Sequence, residues 1–136
     1  MSVQFKGSCL CGQISYEARG EPAIAANCHC TDCQKSTGSG HASLAGFADD
    51  AVTISGTPKA YSKAADSGRG VTRFFCPNCG SPLYSEVEAM PGLKFFKMGA
   101  FDETGPYTPS AAFYAKSAKP WDQPAQGLPA FDEMPG

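Results

Sequence analysis

The seven cysteines of this 136-residue chain constrain its fold more than any other feature. They form three clusters, Cys9-Leu10-Cys11-Gly12, Cys28-His29-Cys30-Thr31-Asp32-Cys33 and Cys76-Pro77-Asn78-Cys79-Gly80. An odd number of thiols cannot all pair within one chain, and closely spaced cysteines are typical of metal ligands. The spacing therefore predicts metal sites in preference to a disulfide framework.

The first and third clusters together predict one structural zinc site. Cys76 and Cys79 are spaced Cys-X-X-Cys-Gly, and that turn brings two sulfurs within the roughly 4 Å that a tetrahedral zinc site needs. Cys9 and Cys11 are two residues apart, so both side chains lie on the same face of an extended segment. Zinc on these four cysteines would cross-link distant parts of the chain and add folding free energy. The alternative is four buried cysteines without a ligand.

The middle cluster predicts a second zinc site, with Cys28, Cys30 and Cys33 as both metal ligands and catalytic residues. Three protein ligands and one open position are typical of a catalytic zinc site. Three thiolates weaken the Lewis acidity of the metal, so a thiol substrate suits the fourth position better than an activated water. Zinc would hold that thiol as a nucleophile for a small carbonyl compound. A redox Cys-X-X-Cys pair and a weak zinc site without catalysis are the alternatives.

His29 lies between two cysteines that share a face, so its side chain is expected to point away from their sulfurs. A fourth zinc ligand and an ordinary hydrogen-bonded histidine are therefore the two interpretations of this residue, with the second favoured at least as much as the first.

Short segments rich in aromatic and β-branched residues, separated by turn residues, predict a mainly antiparallel β-domain. The predicted strands are 13–18, 23–27, 41–47, 52–55, 60–63, 71–75, 83–87, 93–98 and 112–116. One short helix is predicted after Cys30, since Thr31 and Gln34 have the spacing of a capping box and Gly38 could end it. The aromatic residues expected in the core are Phe74, Phe75, Phe95, Phe96 and Trp121.

The length predicts one domain, residues 1–121, followed by an irregular C-terminal tail, residues 122–136. Phe131 and Met134 could anchor this proline-containing tail, which either stays poorly ordered or docks on the domain or on a second subunit. The sequence leaves a homodimer open.

The chain shows no secretory pattern and no run of roughly 18 apolar residues, so we expect a cytoplasmic protein without a membrane partner. Its formal net charge is -2 and its basic residues are scattered. A nucleic-acid partner is therefore not expected.

Four motifs resemble the glutathione-dependent formaldehyde-activating family, which includes the centromere protein V-like proteins. They are residues 7–12, residues 28–36, residues 74–81 and Lys119-Pro120-Trp121. The resemblance covers roughly residues 6–121 and implies a β-tent fold with antiparallel sheets. It also implies two Zn²⁺ per chain, a structural one on Cys9, Cys11, Cys76 and Cys79 and a catalytic one on Cys28, Cys30 and Cys33.

The resemblance implies carbon-sulfur lyase activity on a small thiol such as glutathione and a small aldehyde such as formaldehyde, with S-hydroxymethylglutathione as the product. Candidate partners for the carboxylates of glutathione are Lys35, His41, Arg69 and Arg73, and the alternative for each, which is the commoner case, is a solvated surface charge. A non-catalytic thiol carrier or protein-interaction module stabilised by zinc is the competing hypothesis. A methionine sulfoxide reductase is not expected, because that activity needs a nucleophilic cysteine beyond the zinc pairs and none follows Cys79.

Overall fold

The computed structural model of this chain describes residues 4–65, 68–104 and 107–134. The strands, in chain order, are β1 (Gln4–Ser8), β2 (Ser15–Arg19), β3 (Ile24–Cys28), β4 (Ala42–Ala48), β5 (Val52–Ser55), β6 (Lys59–Ala64), β7 (Gly70–Phe75), β8 (Pro82–Val87), β9 (Leu93–Lys97) and β10 (Ala111–Phe113). The α-helix in these ranges is α1 (Thr31–Thr37). Single 3-10 turns occur at Asp49–Ala51, Met98–Ala100 and Ala115–Ser117.

The strands form two sheets, a small one in the order β1-β2-β5 and a large one in the order β10-β3-β4-β9-β8-β7-β6. Neighbouring strands of the described chain are antiparallel, apart from β10, which pairs with β3 in parallel. The prediction of a mainly β chain with one short helix is confirmed.

The aromatic core lies between the two sheets. Phe5 and Tyr16 from the small sheet pack with Phe47 and Phe96 from the large one, and the Phe101 ring contacts all four. Successive residues of a strand lie on opposite faces, so the neighbours of Phe96 on β9, which are Phe95 and Lys97, lie on the other face of the large sheet. The large sheet therefore packs one face on the small sheet and turns its second face away.

Two strands, β1 and β10, differ most from the sequence prediction. β1 was missed, because its five residues include a glycine and show little of the usual strand composition. The last strand was placed at 112–116, but β10 ends at Phe113, because Tyr114 adopts a left-handed conformation with φ of 57°. Tyr114 redirects the chain into the following 3-10 turn.

The helix begins differently from the predicted capping box. Its N-cap is Cys30, whose sulfur accepts a hydrogen bond from the Cys33 N–H at 3.2 Å. The Gln34 amide instead donates to the carbonyl oxygens of His29 and Ser117, at 2.8 and 2.9 Å. The end of the helix follows the prediction, with Gly38 in the left-handed conformation.

Part of the C-terminal segment docks against the edge of the large sheet. The Ala112 N–H donates to the Pro129 carbonyl and the Phe131 N–H donates to the Ala112 carbonyl, at 2.8 and 2.9 Å. The Phe131 ring packs on Phe113.

One residue that was predicted to lie in the core is on the surface. Trp121 is 71% exposed, so its prediction as a core residue was wrong.

Across the described residues, the structure contains no helix that is both long enough and apolar enough to cross a membrane.

Gly7 on β1 gives a test of the packing between the small sheet and the chain that follows β9. A Cβ atom at Gly7 would lie 2.3 Å from the Ala100 carbonyl oxygen and 2.7 Å from the Phe101 Cα, both backbone atoms. We therefore expect Gly7→Ala to lower the free energy of unfolding by about 1–3 kcal/mol, measured by chemical denaturation. Gly99→Ala is the control, since its Cβ would meet nothing within 4 Å. Equal stability of the two variants would contradict this packing.

Candidate metal centres

Two tight turns bring four cysteines together at one end of the structure. Cys9 and Cys11 lie in the turn from β1 to β2, which closes through the Gly12 N–H donating to the Cys9 carbonyl at 3.0 Å. Cys76 and Cys79 lie in the turn from β7 to β8, which closes in the same way from Gly80 to Cys76 at 2.8 Å. Both glycines have positive φ, 82° and 80°, where other residues would be strained. The donor sulfurs lie within 4.8 Å of one another.

The separations between these sulfurs fit a zinc ion. The Cys11 sulfur lies 3.6 Å from that of Cys9 and 3.7 Å from that of Cys76, close to the roughly 3.8 Å edge of a tetrahedron with Zn–S bonds of 2.3 Å. Backbone N–H groups also point at the sulfurs, as from Ile14 to Cys9 at 3.4 Å. Hydrogen bonds from Ser81 lower the pKa of the Cys79 thiol to about 5. The spacing and chemistry of the four sulfurs thus suit zinc, and the Cys79 sulfur favours the thiolate form that binds it.

The middle three cysteines meet where β3 leads into α1. Cys28 ends β3, Cys30 caps the helix and Cys33 lies in its first turn, with their sulfurs within 4.8 Å of one another. Hydrogen bonds from the Cys28 and Cys33 thiols hold the pKa of the Cys30 thiol well below its ordinary value. The same sharing of protons with Cys30 raises the pKa of Cys28. The cluster therefore favours negative charge on the Cys30 sulfur, while the pKa of the Cys33 thiol is raised to about 11.

A cavity of about 190 Å³ opens onto the three-cysteine cluster, and the four-cysteine cluster does not line it. It occupies the face of the large sheet that points away from the small sheet. Its walls are largely apolar, with Leu44, Val71, Phe95 and Phe113 among the lining side chains. Of the two clusters, the three-cysteine one lines this cavity.

A sequence model of the glutathione-dependent formaldehyde-activating enzymes matches residues 4–117. The chain belongs to this family. The sequence resemblance, carried by the cysteine motifs, is thereby confirmed.

A Rhodobacter sphaeroides protein of known crystal structure, a structural-genomics target, shares the fold of this member of the formaldehyde-activating family. The TM-score is 0.58 at 20% sequence identity, and the match covers 74% of this chain and 91% of the other. At that identity the likeness bears on the fold alone.

Lys97 on β9 is a residue of the cavity that the sequence analysis missed. It is 9% exposed and its ammonium group donates to the Ser85 hydroxyl at 2.9 Å. Burial, opposed in part by the Cys33 sulfur and reinforced by Arg73, lowers the pKa of Lys97 to about 8. The signal in the sequence was a lysine two residues after Phe95, which places both side chains on the same face of β9.

Four cationic residues of this family member were predicted to bind the carboxylates of the substrate, and they divide into two pairs. Arg69 and Arg73 line the cavity. Lys35 is exposed and does not line it, and His41 lies beside Asp122 instead, with 2.5 Å between Nδ1 and Oδ2. The last two are therefore not placed to bind a molecule in the cavity.

His29 is directed away from the neighbouring sulfurs, as its position between two cysteines predicts. It is 1% exposed and lies against the His41 ring, with 4.9 Å between ring centroids. Neither ring nitrogen has a hydrogen-bond partner among the described residues, so the expectation of an ordinary hydrogen-bonded histidine was wrong.

We expect the loss of a single sulfur to affect protein stability differently in the two cysteine clusters. We expect Cys76→Ser to lose the zinc of the four-cysteine site and to lower the free energy of unfolding by more than about 4 kcal/mol, since loss of a structural metal is among the most destabilising changes. Cys30→Ser should stay folded, because serine is itself a good N-cap for α1. Circular dichroism and thermal unfolding measure both effects. A similar loss of stability in both variants would contradict this division.

Proposed function

We propose that this chain is a zinc-dependent carbon-sulfur lyase, which forms or cleaves the adduct of a small thiol with a small aldehyde, as in S-hydroxymethylglutathione. The observation that carries this proposal is the cavity, which brings a three-cysteine cluster and the buried Lys97 to one largely apolar space. Family membership supports glutathione and formaldehyde as the first substrates to test.

We propose two zinc ions per chain at the cysteine clusters. Cys9, Cys11, Cys76 and Cys79 would hold the structural ion, and Cys28, Cys30 and Cys33 would hold the catalytic one. When bound to the three cysteines, Zn²⁺ lowers the pKa of a thiol in its fourth position and holds that sulfur as a nucleophile.

The proposed reaction makes or breaks one carbon-sulfur bond. In the forward direction the thiol loses its proton, its sulfur bonds to the carbonyl carbon, and the carbon-oxygen π bond breaks. The carbonyl oxygen gains one proton, so the overall reaction neither releases nor consumes protons. Lys97 would supply that proton in condensation and accept it in cleavage. A pKa of about 8 suits this exchange, because both protonation states are accessible near neutral pH.

Arg69 and Arg73 are the proposed partners for the carboxylates of the thiol substrate. Both line the cavity that reaches the three cysteines. Guanidinium groups bind carboxylates through paired hydrogen bonds, and the apolar walls around them strengthen such contacts by excluding water. A thiol with one or more carboxylates, such as glutathione, therefore suits the space better than a neutral thiol.

We further propose residues 1–121 as the catalytic domain and 122–136 as its tail. The cytoplasm is the proposed compartment, since all seven cysteines are free and such thiols persist in a reducing environment.

Lys97 provides the sharpest test of this function. We expect Lys97→Met to reduce the enzyme-dependent rate of S-hydroxymethylglutathione formation by about 10²-fold or more, which is the usual effect of losing a general acid. Exchange spectroscopy by NMR measures this rate at equilibrium. The control is Lys94→Met on the same strand, because Lys94 bonds Asp49 and Glu86 and does not line the cavity. Cys30→Ser should abolish the catalysed rate.

Calorimetric titration with glutathione, combined with the rate measurement, distinguishes the proposed lyase from a non-catalytic thiol carrier. Binding of glutathione by the wild-type protein with no acceleration of the reaction would favour the non-catalytic thiol carrier. A catalysed rate that survives in Cys30→Ser would contradict the assignment of the site.

A further inference from the structure

A buried histidine without partners marks a third cluster of metal-ligating groups. His29 is 1% exposed, and both of its ring nitrogens lack hydrogen-bond partners within the described chain. A neutral imidazole has one donor and one acceptor nitrogen, and leaving a buried polar group unsatisfied costs about 1–3 kcal/mol. Such a group in a native structure calls for an explanation, and a bound ion is one that would supply the missing partner.

The groups that face His29 are of the kinds that bind metal ions. His41 lies with its ring tilted by 38° against the His29 ring, and its Nδ1 lies 2.5 Å from the Asp122 carboxylate. One donor atom from each of the three residues lies within 4.8 Å of the others. Two imidazoles and one carboxylate therefore converge beside the β3–α1 loop.

Gly40 makes room for the carboxylate. A Cβ atom at this position would lie 2.2 Å from the Asp122 Oδ2 and 2.5 Å from its Cβ. Any larger residue at position 40 would thus displace Asp122 from His41. The chain next to His41 is shaped to admit this one carboxylate.

We propose that His29, His41 and Asp122 form a third metal site, separate from both cysteine clusters, for Zn²⁺ or a similar divalent transition-metal ion. Imidazole suits such ions, and two histidines with one carboxylate form a known set of zinc ligands. The site has no thiolate, so it is harder in ligand character than the cysteine sites. It does not depend on the proposed enzymatic function.

Metal binding at this site would replace the hydrogen bond between His41 and Asp122 and would give His29 a partner. Ligand atoms around a tetrahedral ion with bonds of roughly 2.0–2.1 Å lie about 3.3 Å apart. The His41 and Asp122 atoms therefore separate slightly as the ion takes the place of their hydrogen bond. In return, His29 gains the partner that it lacks, and the segment around residue 122 is tied to β4 and to the β3–α1 loop.

The experiment adds Co²⁺ to purified wild-type protein whose cysteine sites already hold zinc. We expect one additional equivalent of bound metal by equilibrium dialysis and elemental analysis. Its absorption spectrum should show d–d bands without the sulfur-to-cobalt charge-transfer bands that a thiolate site gives. Failure of the wild-type protein to bind Co²⁺, or a spectrum with thiolate charge transfer, would overturn the proposal.

Two variants assign the bound ion to these residues. Asp122→Asn and His41→Phe should each lower the affinity for Co²⁺ by about 10-fold or more, as loss of a ligand or its close partner does, while their zinc content at the cysteine sites is unchanged. The control is Asp132→Asn, which alters an exposed carboxylate elsewhere in the tail. Equal Co²⁺ affinity in the wild-type protein and both variants would overturn the assignment.

Discussion

The convergence of four sulfurs from two distant turns is the constraint on which the rest of this structure depends. Cys9 and Cys11 lie in a turn between two strands of the small sheet and Cys76 and Cys79 in a turn between two strands of the large one, so a zinc ion there would join the two sheets. The aromatic core completes the contact between them. With one sheet face committed to this packing, the other is free to carry a cavity.

The two cysteine clusters differ in their number of sulfurs and in their relation to the cavity. Four cysteines would complete the coordination of a zinc ion, whereas the three that line the cavity would leave one position on such an ion for the proposed substrate. Lys97 lies on that same face, and its low pKa follows from its burial. If the proposed roles hold, the chemistry takes place on a face of the large sheet that does not carry the aromatic core, and a change in one need not disturb the other.

The sequence predicted what depends on local spacing and missed what depends on tertiary packing. The division of seven cysteines into a set of four and a set of three could be predicted, because spacing in short turns determines which sulfurs can meet. β1 was missed because its stability comes from pairing with β2. The burial of Lys97, the exposure of Trp121 and the meeting of His41 with Asp122 all depend on residues distant in sequence.

The central claim, that one cysteine cluster is closed and the other accepts a thiol, can be tested with each site observed separately. Cadmium-113 NMR of protein reconstituted with ¹¹³Cd²⁺ gives a resonance for each site, and its shift reports the number of sulfur ligands. We expect glutathione to move the three-cysteine resonance towards that of the four-cysteine site, which itself stays unchanged. No movement of the three-cysteine resonance, or an equal response of both, would contradict this account.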